Sequence, residues 1–111
     1  MTRRELLKGT LEMVVLSIIQ KFPKIHGYQL QIELSKASDL LAVKAGTLYP
    51  ILQRLECSGR IGGRWVKVGV KRRRYIYEIT ARGVQRLKIA KCIYLSMNRA
   101  VGEILGVKKG K

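Results

Sequence analysis

The chain has 111 residues, the size of one small domain. Its 23 Lys and Arg outnumber 7 Asp and Glu, giving a formal charge of +16, while 47% of its residues are hydrophobic. That apolar share excludes a disordered basic tail, and the charge calls for an anionic partner: nucleic acid, an acidic membrane surface or an acidic protein. A chain this short also gains from pairing with a second copy. One histidine, His26, and two distant cysteines, Cys57 and Cys92, argue against a structural zinc site, and no metal or cofactor is expected. The cysteines are expected to be buried thiols of a reduced compartment. The apolar stretch Met13 to Ile19 contains Ser17 and is too short to span a bilayer. A signal peptide running from Arg3 and Arg4 through that stretch is conceivable, but Lys8 and Glu12 interrupt the run and no A-x-A site follows. The expected location is the cytoplasm.

Thr2-Arg3-Arg4-Glu5 has the spacing of a capping box, and Leu7, Leu11, Val14 and Ile18 recur at helical spacing. This predicts a first helix ended by Pro23, with Thr10, after Gly9, as an alternative start. Tyr28 to Lys36 forms a second short helix, with His26-Gly27 at its start and loop chemistry at Ser35, Ser38 and Asp39. A third helix is predicted from about Lys44 to Cys57, with Leu48, Ile51, Leu52 and Leu55 on one side. Pro50 falls in its first turns, where a missing N–H is cheapest, and Ser58-Gly59 stops it. Ile61 to Val68 and Arg74 to Thr80 are rich in β-branched and aromatic residues around a Gly69 turn, which predicts a β-hairpin. Trp65 reads as the packing anchor of that hairpin ahead of a base-stacking platform, and is expected in the core. Thr80 then caps a long fourth helix to about Leu105, and Lys108 to Lys111 form a frayed tail. The fold class is therefore mainly α with a small β-hairpin: a winged helix-turn-helix over residues 1–80, then a C-terminal dimerisation helix and basic tail over 81–111. In that architecture the third helix enters the major groove and the hairpin lies along the neighbouring backbone.

The charge is not evenly spread. Arg60 to Lys91 holds 11 Lys or Arg residues and one acidic residue, Glu78. Lys71, Arg72, Arg73 and Arg74 sit at the hairpin turn, where they repel one another unless phosphate oxygens neutralise them. A solvated hairpin tip is the plainer reading, but the run adjoins a candidate recognition helix. On that helix, Thr47 and Tyr49 offer hydroxyls to phosphate, while Gln53 and Arg54 suit adenine and guanine edges. Tyr49 reads almost as well as a core aromatic with a wet hydroxyl, and Gln53 as plain surface.

These residues resemble a known family. Leu7-Lys8-Gly9-Thr10-Leu11-Glu12, His26-Gly27-Tyr28 and the run Gly46-Thr47-Leu48-Tyr49-Pro50-Ile51-Leu52-Gln53-Arg54-Leu55-Glu56 are similar to the PadR family of transcriptional regulators. The likeness continues through Gly59, Ile61, Trp65, Arg72-Arg73-Arg74-Tyr75, Ile79-Thr80 and Gly83, covering about Leu6 to Leu87. It implies a prokaryotic dimeric repressor of the short type, dimerising through its C-terminal helix. It also places Thr47, Tyr49 and Pro50 at the DNA-facing helix start and Arg72 to Arg74 on the wing. Two features depart from the family pattern. Lys44-Ala45 stands where Ser-Pro is common, which weakens the cap but adds a cation. The C-terminal helix has no tryptophan, only Tyr94, whereas some short members use a tryptophan there to bind flat aromatic drugs.

On the fourth helix, Leu87, Ala90, Tyr94, Met97, Val101 and Ile104 alternate spacings of three and four, the seam of a helix packed on another helix. The stripe can cover the chain's own core through Leu11 and Val14, a second copy, or both. A two-fold dimer is expected, presenting two recognition helices about 34 Å apart, or a multiple, to a pseudopalindromic site. A small aromatic effector is a further expected partner, in a pocket lined by Val15, Tyr94 and Met97. The function expected is a dimeric repressor binding double-stranded DNA; the alternative is a nonspecific architectural or nucleoid-type DNA binder, which the +16 charge favours. An enzyme is not expected, for want of a nucleophile–base constellation. A membrane module is not expected either, because the cations cluster on a hairpin and not along one amphipathic helix face.

Overall fold

The computed structural model describes residues 9–106. Helix α1 spans Thr10–Lys21, strand β1 Ile25–His26, helix α2 Gly27–Ala37 and helix α3 Ala45–Cys57. A 3₁₀ turn at Asp39–Leu41 lies between α2 and α3. Strands β2, Ile61–Lys67, and β3, Arg73–Ile79, form the hairpin, and helix α4 spans Ala81–Leu105. The predicted elements recur with their ends within a residue or so, and α1 starts at the alternative position, Thr10. The Thr2–Glu5 capping box, Leu7 and the Lys108–Lys111 tail lie outside the described residues.

Each boundary has a local cause. The His26 Nδ1 accepts the Gln29 N–H at 3.2 Å, so a histidine caps α2. The α3 stop is a Schellman motif: the Gly59 N–H reaches the Glu56 carbonyl at 3.0 Å and the Arg60 N–H reaches the Leu55 carbonyl at 2.9 Å. Gly59 adopts φ +77°, a left-handed conformation that favours glycine. The Thr80 Oγ1 accepts the Gly83 N–H at 3.0 Å and donates to the Gly59 carbonyl at 2.6 Å, tying the start of α4 to the end of α3. A Cβ on Gly83 would run into the Arg60 carbonyl, so only glycine lets α4 approach so closely. Pro50 corrects one expectation. It is the sixth residue of α3, past the turn whose N–H groups are free in any helix, so the bond to the Gly46 carbonyl is forfeited.

The sheet has three antiparallel strands in the order β1-β3-β2, and the two-residue β1 was not foreseen. Ile25 pairs with Tyr77, Ile61 with Ile79 and Trp65 with Tyr75. One core joins the elements: Leu11, Val15, Leu16 and Ile19 of α1, Leu30 and Leu34 of α2, Leu48, Ile51, Leu52 and Leu55 of α3, Ile61 and Tyr77 of the sheet, and Leu87 of α4. No helix among the described residues is long and apolar enough to cross a membrane.

Past Ala90, α4 leaves that body. Every residue from Lys91 to Leu105 is exposed except the half-buried Gly102. The radius of gyration is 15.7 Å, with extents of 57 × 28 × 27 Å, where a compact domain of about 100 residues has about 13 Å. Ile93, Tyr94, Leu95, Met97, Val101, Ile104 and Leu105 are apolar side chains on this projecting arm.

Candidate nucleic-acid interface

The buried residues of α3 fix which side of the helix is free. Successive residues turn by about 100°, so the face opposite Leu48, Ile51, Leu52 and Leu55 carries Gly46, Pro50, Gln53 and Cys57, all exposed. Tyr49 stands on the flank toward the hairpin, 43% exposed. Its hydroxyl lies against Gly27, where a Cβ would collide with it, so the glycine at the start of α2 seats the ring. Thr47 and Arg54 stand on the opposite flank. The Arg54 Nε is 4.0 Å from the Glu12 carboxylate, which also meets the Arg60 guanidinium at 3.6 Å. Arg54 thus leans toward α1, and the outward side chain that suits a base edge is Gln53. Lys44 is the N-cap of α3 and gives no side-chain cap, as expected from the missing serine; it remains exposed.

The hairpin faces this helix with an aromatic ladder. Strand β3 and its partner β2 place Tyr77, Tyr75 and Trp65 on one face, followed toward the tip by Arg73 and Lys67. Tyr77 and Tyr75 meet edge to face at 5.3 Å, and Tyr75 and Trp65 at 5.2 Å. The Tyr75 hydroxyl donates to the Glu56 carboxylate of α3 at 2.5 Å. Gly63 makes room for that ring: a Cβ there would lie 2.5–2.6 Å from it. The wing is therefore braced against α3. The bond to Glu56, with burial and the Glu56 charge behind it, raises the Tyr75 pKa above its ordinary 10. Burial foremost, then Tyr49, Glu56 and Tyr75, pushes Tyr77 up to about 12.

Trp65 corrects an expectation. It is 61% exposed and outside the core, because β2 is an edge strand and its outer half reaches beyond the helices that cover Ile61. The cysteines correct another: Cys57 and Cys92 are free thiols and both are exposed. Small size biases cysteine toward interiors only on average, and here one falls on the outward face of α3 and the other on the projecting arm.

Lys71, Arg72, Arg73 and Arg74 are all exposed at the wing tip, next to a turn closed by the Val68 N–H and the Arg72 carbonyl at 2.9 Å. Among the described residues none of the four has a carboxylate partner; Glu78 pairs with Arg64 at 3.4 Å instead. Tyr49, Arg73 and Arg74 line one groove of about 380 Å³ with His26, Tyr28 and Trp65. His26, Tyr28 and Trp65 were not foreseen as part of the site, although all three stand in the segments that carry the family likeness. Burial, then the charge of Arg74, lowers the His26 pKa below its ordinary 6.5. Because the His26 Nδ1 accepts the Gln29 N–H, its proton sits on Nε2 in the neutral form. Among the described residues no group of three His, Cys, Asp or Glu side chains is placed to hold a metal ion.

A second, apolar groove of about 500 Å³ lies between α1 and α4, lined by Met13, Val14, Ile18, Phe22, Leu87 and Tyr94 among others. Tyr94 is there as expected. Val15 is not, being fully buried in the core, and Met97 lies farther along the arm. Leu11 and Leu87, 8% and 6% exposed, are used inside the chain's own core, so the free part of the α4 stripe begins at Tyr94.

An exposed helix face beside a cationic wing suits a polyanion, and the family model described as "Transcriptional regulator PadR-like family" matches residues 15–89, most of the chain. The chain belongs to this family. A PadR-like transcriptional regulator of Bacillus cereus is similar to it at 29% identity, covering 96% of this chain and 99% of that one, with a TM-score of 0.81. A PadR family regulator of Eggerthella lenta is 31% identical over 94% of this chain and 88% of that one, with a TM-score of 0.79. A transcriptional regulator of Streptococcus is 29% identical over 89% and 95%, with a TM-score of 0.78. The comparison with curated proteins gives no match. As a PadR-like protein the chain is a DNA-binding regulator of transcription, not an enzyme, and the winged helix is the family's fold.

Proposed function

We propose that this PadR-like chain is a cytoplasmic, dimeric repressor of a pseudopalindromic operator. The observation that carries the DNA contact is the shared groove: Tyr49 of α3 and Arg73 and Arg74 of the wing open onto one surface. In this reading residues 1–80 hold the DNA-binding domain and residues 81–111 the dimerisation segment. Lys44, Tyr49 and the Lys71–Arg74 run fix position on the backbone, Gln53 reads a base edge, Pro50 stands beside it on the outward face, and Thr47 and Arg54 shape one flank of the helix. The dimer rests on the projecting arm, whose apolar side chains Tyr94, Met97, Val101 and Ile104 are exposed among the described residues; Ile104 is 84% exposed. An isolated helix leaving the body with that surface is half of a helix pair, with Ala90 and Val14 at the point where the pair meets the body. A flat aromatic effector fits the α1–α4 groove beside Tyr94; calorimetric titration with phenolic and cationic aromatics that gave no heat would rule it out.

The +16 charge supports a second reading, a nonspecific architectural binder. Selection from random duplexes at about physiological salt separates the two. A repressor enriches one palindromic sequence, whereas an architectural protein enriches none.

A further inference from the structure

We propose that Trp65 is a DNA-contacting side chain, its indole laid against the deoxyribose–phosphate strand that runs between α3 and the wing tip. This rests on the reading of the protein as a duplex-DNA binder. Trp65 is the one tryptophan in the chain and stands 61% exposed on a wing whose Tyr77 is buried and whose Tyr75 is half-buried. Large aromatics held in the open are the residues that anchor interfaces. The indole is also held in place rather than free to collapse. The Tyr75 ring grips it at 5.2 Å, and the Arg73 guanidinium lies 5.6 Å from its centroid. Its register, opposite Tyr75 and two residues short of the Lys67–Arg73 pair, puts it between the α3 flank at Tyr49 and the cationic tip.

The chemistry around it selects the occupant. His26, Tyr28, Tyr49, Arg73 and Arg74 line the same groove. An apolar plate edged by guanidinium groups and phenol hydroxyls matches a sugar face between two phosphates. A second copy of this chain is a poor occupant, because it would bring its own excess of positive charge against Arg73 and Arg74. The apolar groove between α1 and α4, where the dimer is proposed, shares no lining residue with this one. Sugar faces are alike at every base pair, so this contact adds affinity without sequence preference.

Because the chain has a single tryptophan, its emission reports the site directly. Duplexes of unrelated sequence, carrying a fluorophore at one end, are titrated while duplex anisotropy and Trp65 emission are followed together, with acrylamide as collisional quencher. The proposal expects emission to change and acrylamide access to fall in step with anisotropy. It expects Trp65→Ala to weaken every duplex by about tenfold, the scale of one stacked aromatic contact, and Trp65→Phe, which keeps a ring against Tyr75, to weaken it less. Duplex binding by anisotropy with unchanged Trp65 emission and access, and with both variants binding as the parent does, overturns the assignment while leaving the DNA reading intact. No duplex binding at all overturns both. Equal shielding by a deoxynucleoside monophosphate at the same concentration also overturns it, by making the groove a small-ligand site.

Discussion

The aim of the wing relative to α3 depends on one missing methyl group. Gly63 lies where a Cβ would come within 2.5–2.6 Å of the Tyr75 ring and hydroxyl, and that hydroxyl ties the wing to Glu56. Gly63→Ala therefore displaces the ring, and two costs add. Overpacking costs about 1–3 kcal/mol. Displacing the ring also pulls the hydroxyl away from the Glu56 carboxylate, which adds to that cost. Replacing glycine in a strand returns about 0.5–1 kcal/mol, leaving a net destabilisation of about 1–3 kcal/mol. The decisive assay is a double-mutant cycle in urea. In a Tyr75→Ala background there is no ring to displace, so Gly63→Ala should be neutral or slightly stabilising, with a coupling of about 2 kcal/mol. Equal destabilisation in both backgrounds would refute the bracing of the wing by Tyr75.

Other consequences are separable by assay. Tyr77 ionises at about 12 in the folded chain against an ordinary 10.0. The neutral phenol is thus favoured by folding, and its contribution is complete below pH 10 and lost as pH rises through 12; urea midpoints at pH 9 and 11.5 should differ less in Tyr77→Phe than in the parent. Arg73→Ala should weaken binding to all duplexes and lower the salt slope by about one, whereas Gln53→Ala should cost about 1–3 kcal/mol at one base position only, as read by competition binding with substituted operators. Met97→Glu puts a charge on the exposed arm and should shift sedimentation from dimer to monomer at micromolar concentration while leaving the helical circular dichroism unchanged. Both thiols should react with a disulfide reagent in the folded protein without denaturant, since Cys57 and Cys92 are exposed.

The parts of this fold with strong periodicity were legible in the sequence, and the parts set by neighbours were not. Leu48, Ile51, Leu52 and Leu55 announce α3 because a 3.6-residue period needs no partner to be seen. Strand β1 has two residues, too few to show any period, and exists only because β3 offers it an edge. Trp65 alternates like a core residue, yet the strand outruns the helices that would bury it. The α4 stripe is continuous in sequence but serves two purposes, and only the fold shows that Leu87 closes the core while Tyr94 onward is free. The candidate interface followed the same rule. The cationic run and Tyr49 were visible as chemistry, whereas their convergence with His26, Tyr28 and Trp65 on one groove depends on the register of the hairpin and the brace at Glu56.

In this protein α3 and the wing are proposed to meet duplex DNA on one surface. Isotope-labelled protein titrated with an operator duplex tests it residue by residue. Amide and side-chain shift changes should concentrate at Tyr49, Gln53 and Lys71–Arg74, with the single His26 signal moving to higher pKa as phosphate offsets the charge of Arg74. Changes confined to the α1–α4 groove, with Tyr49 and the wing silent at saturating duplex, would contradict it.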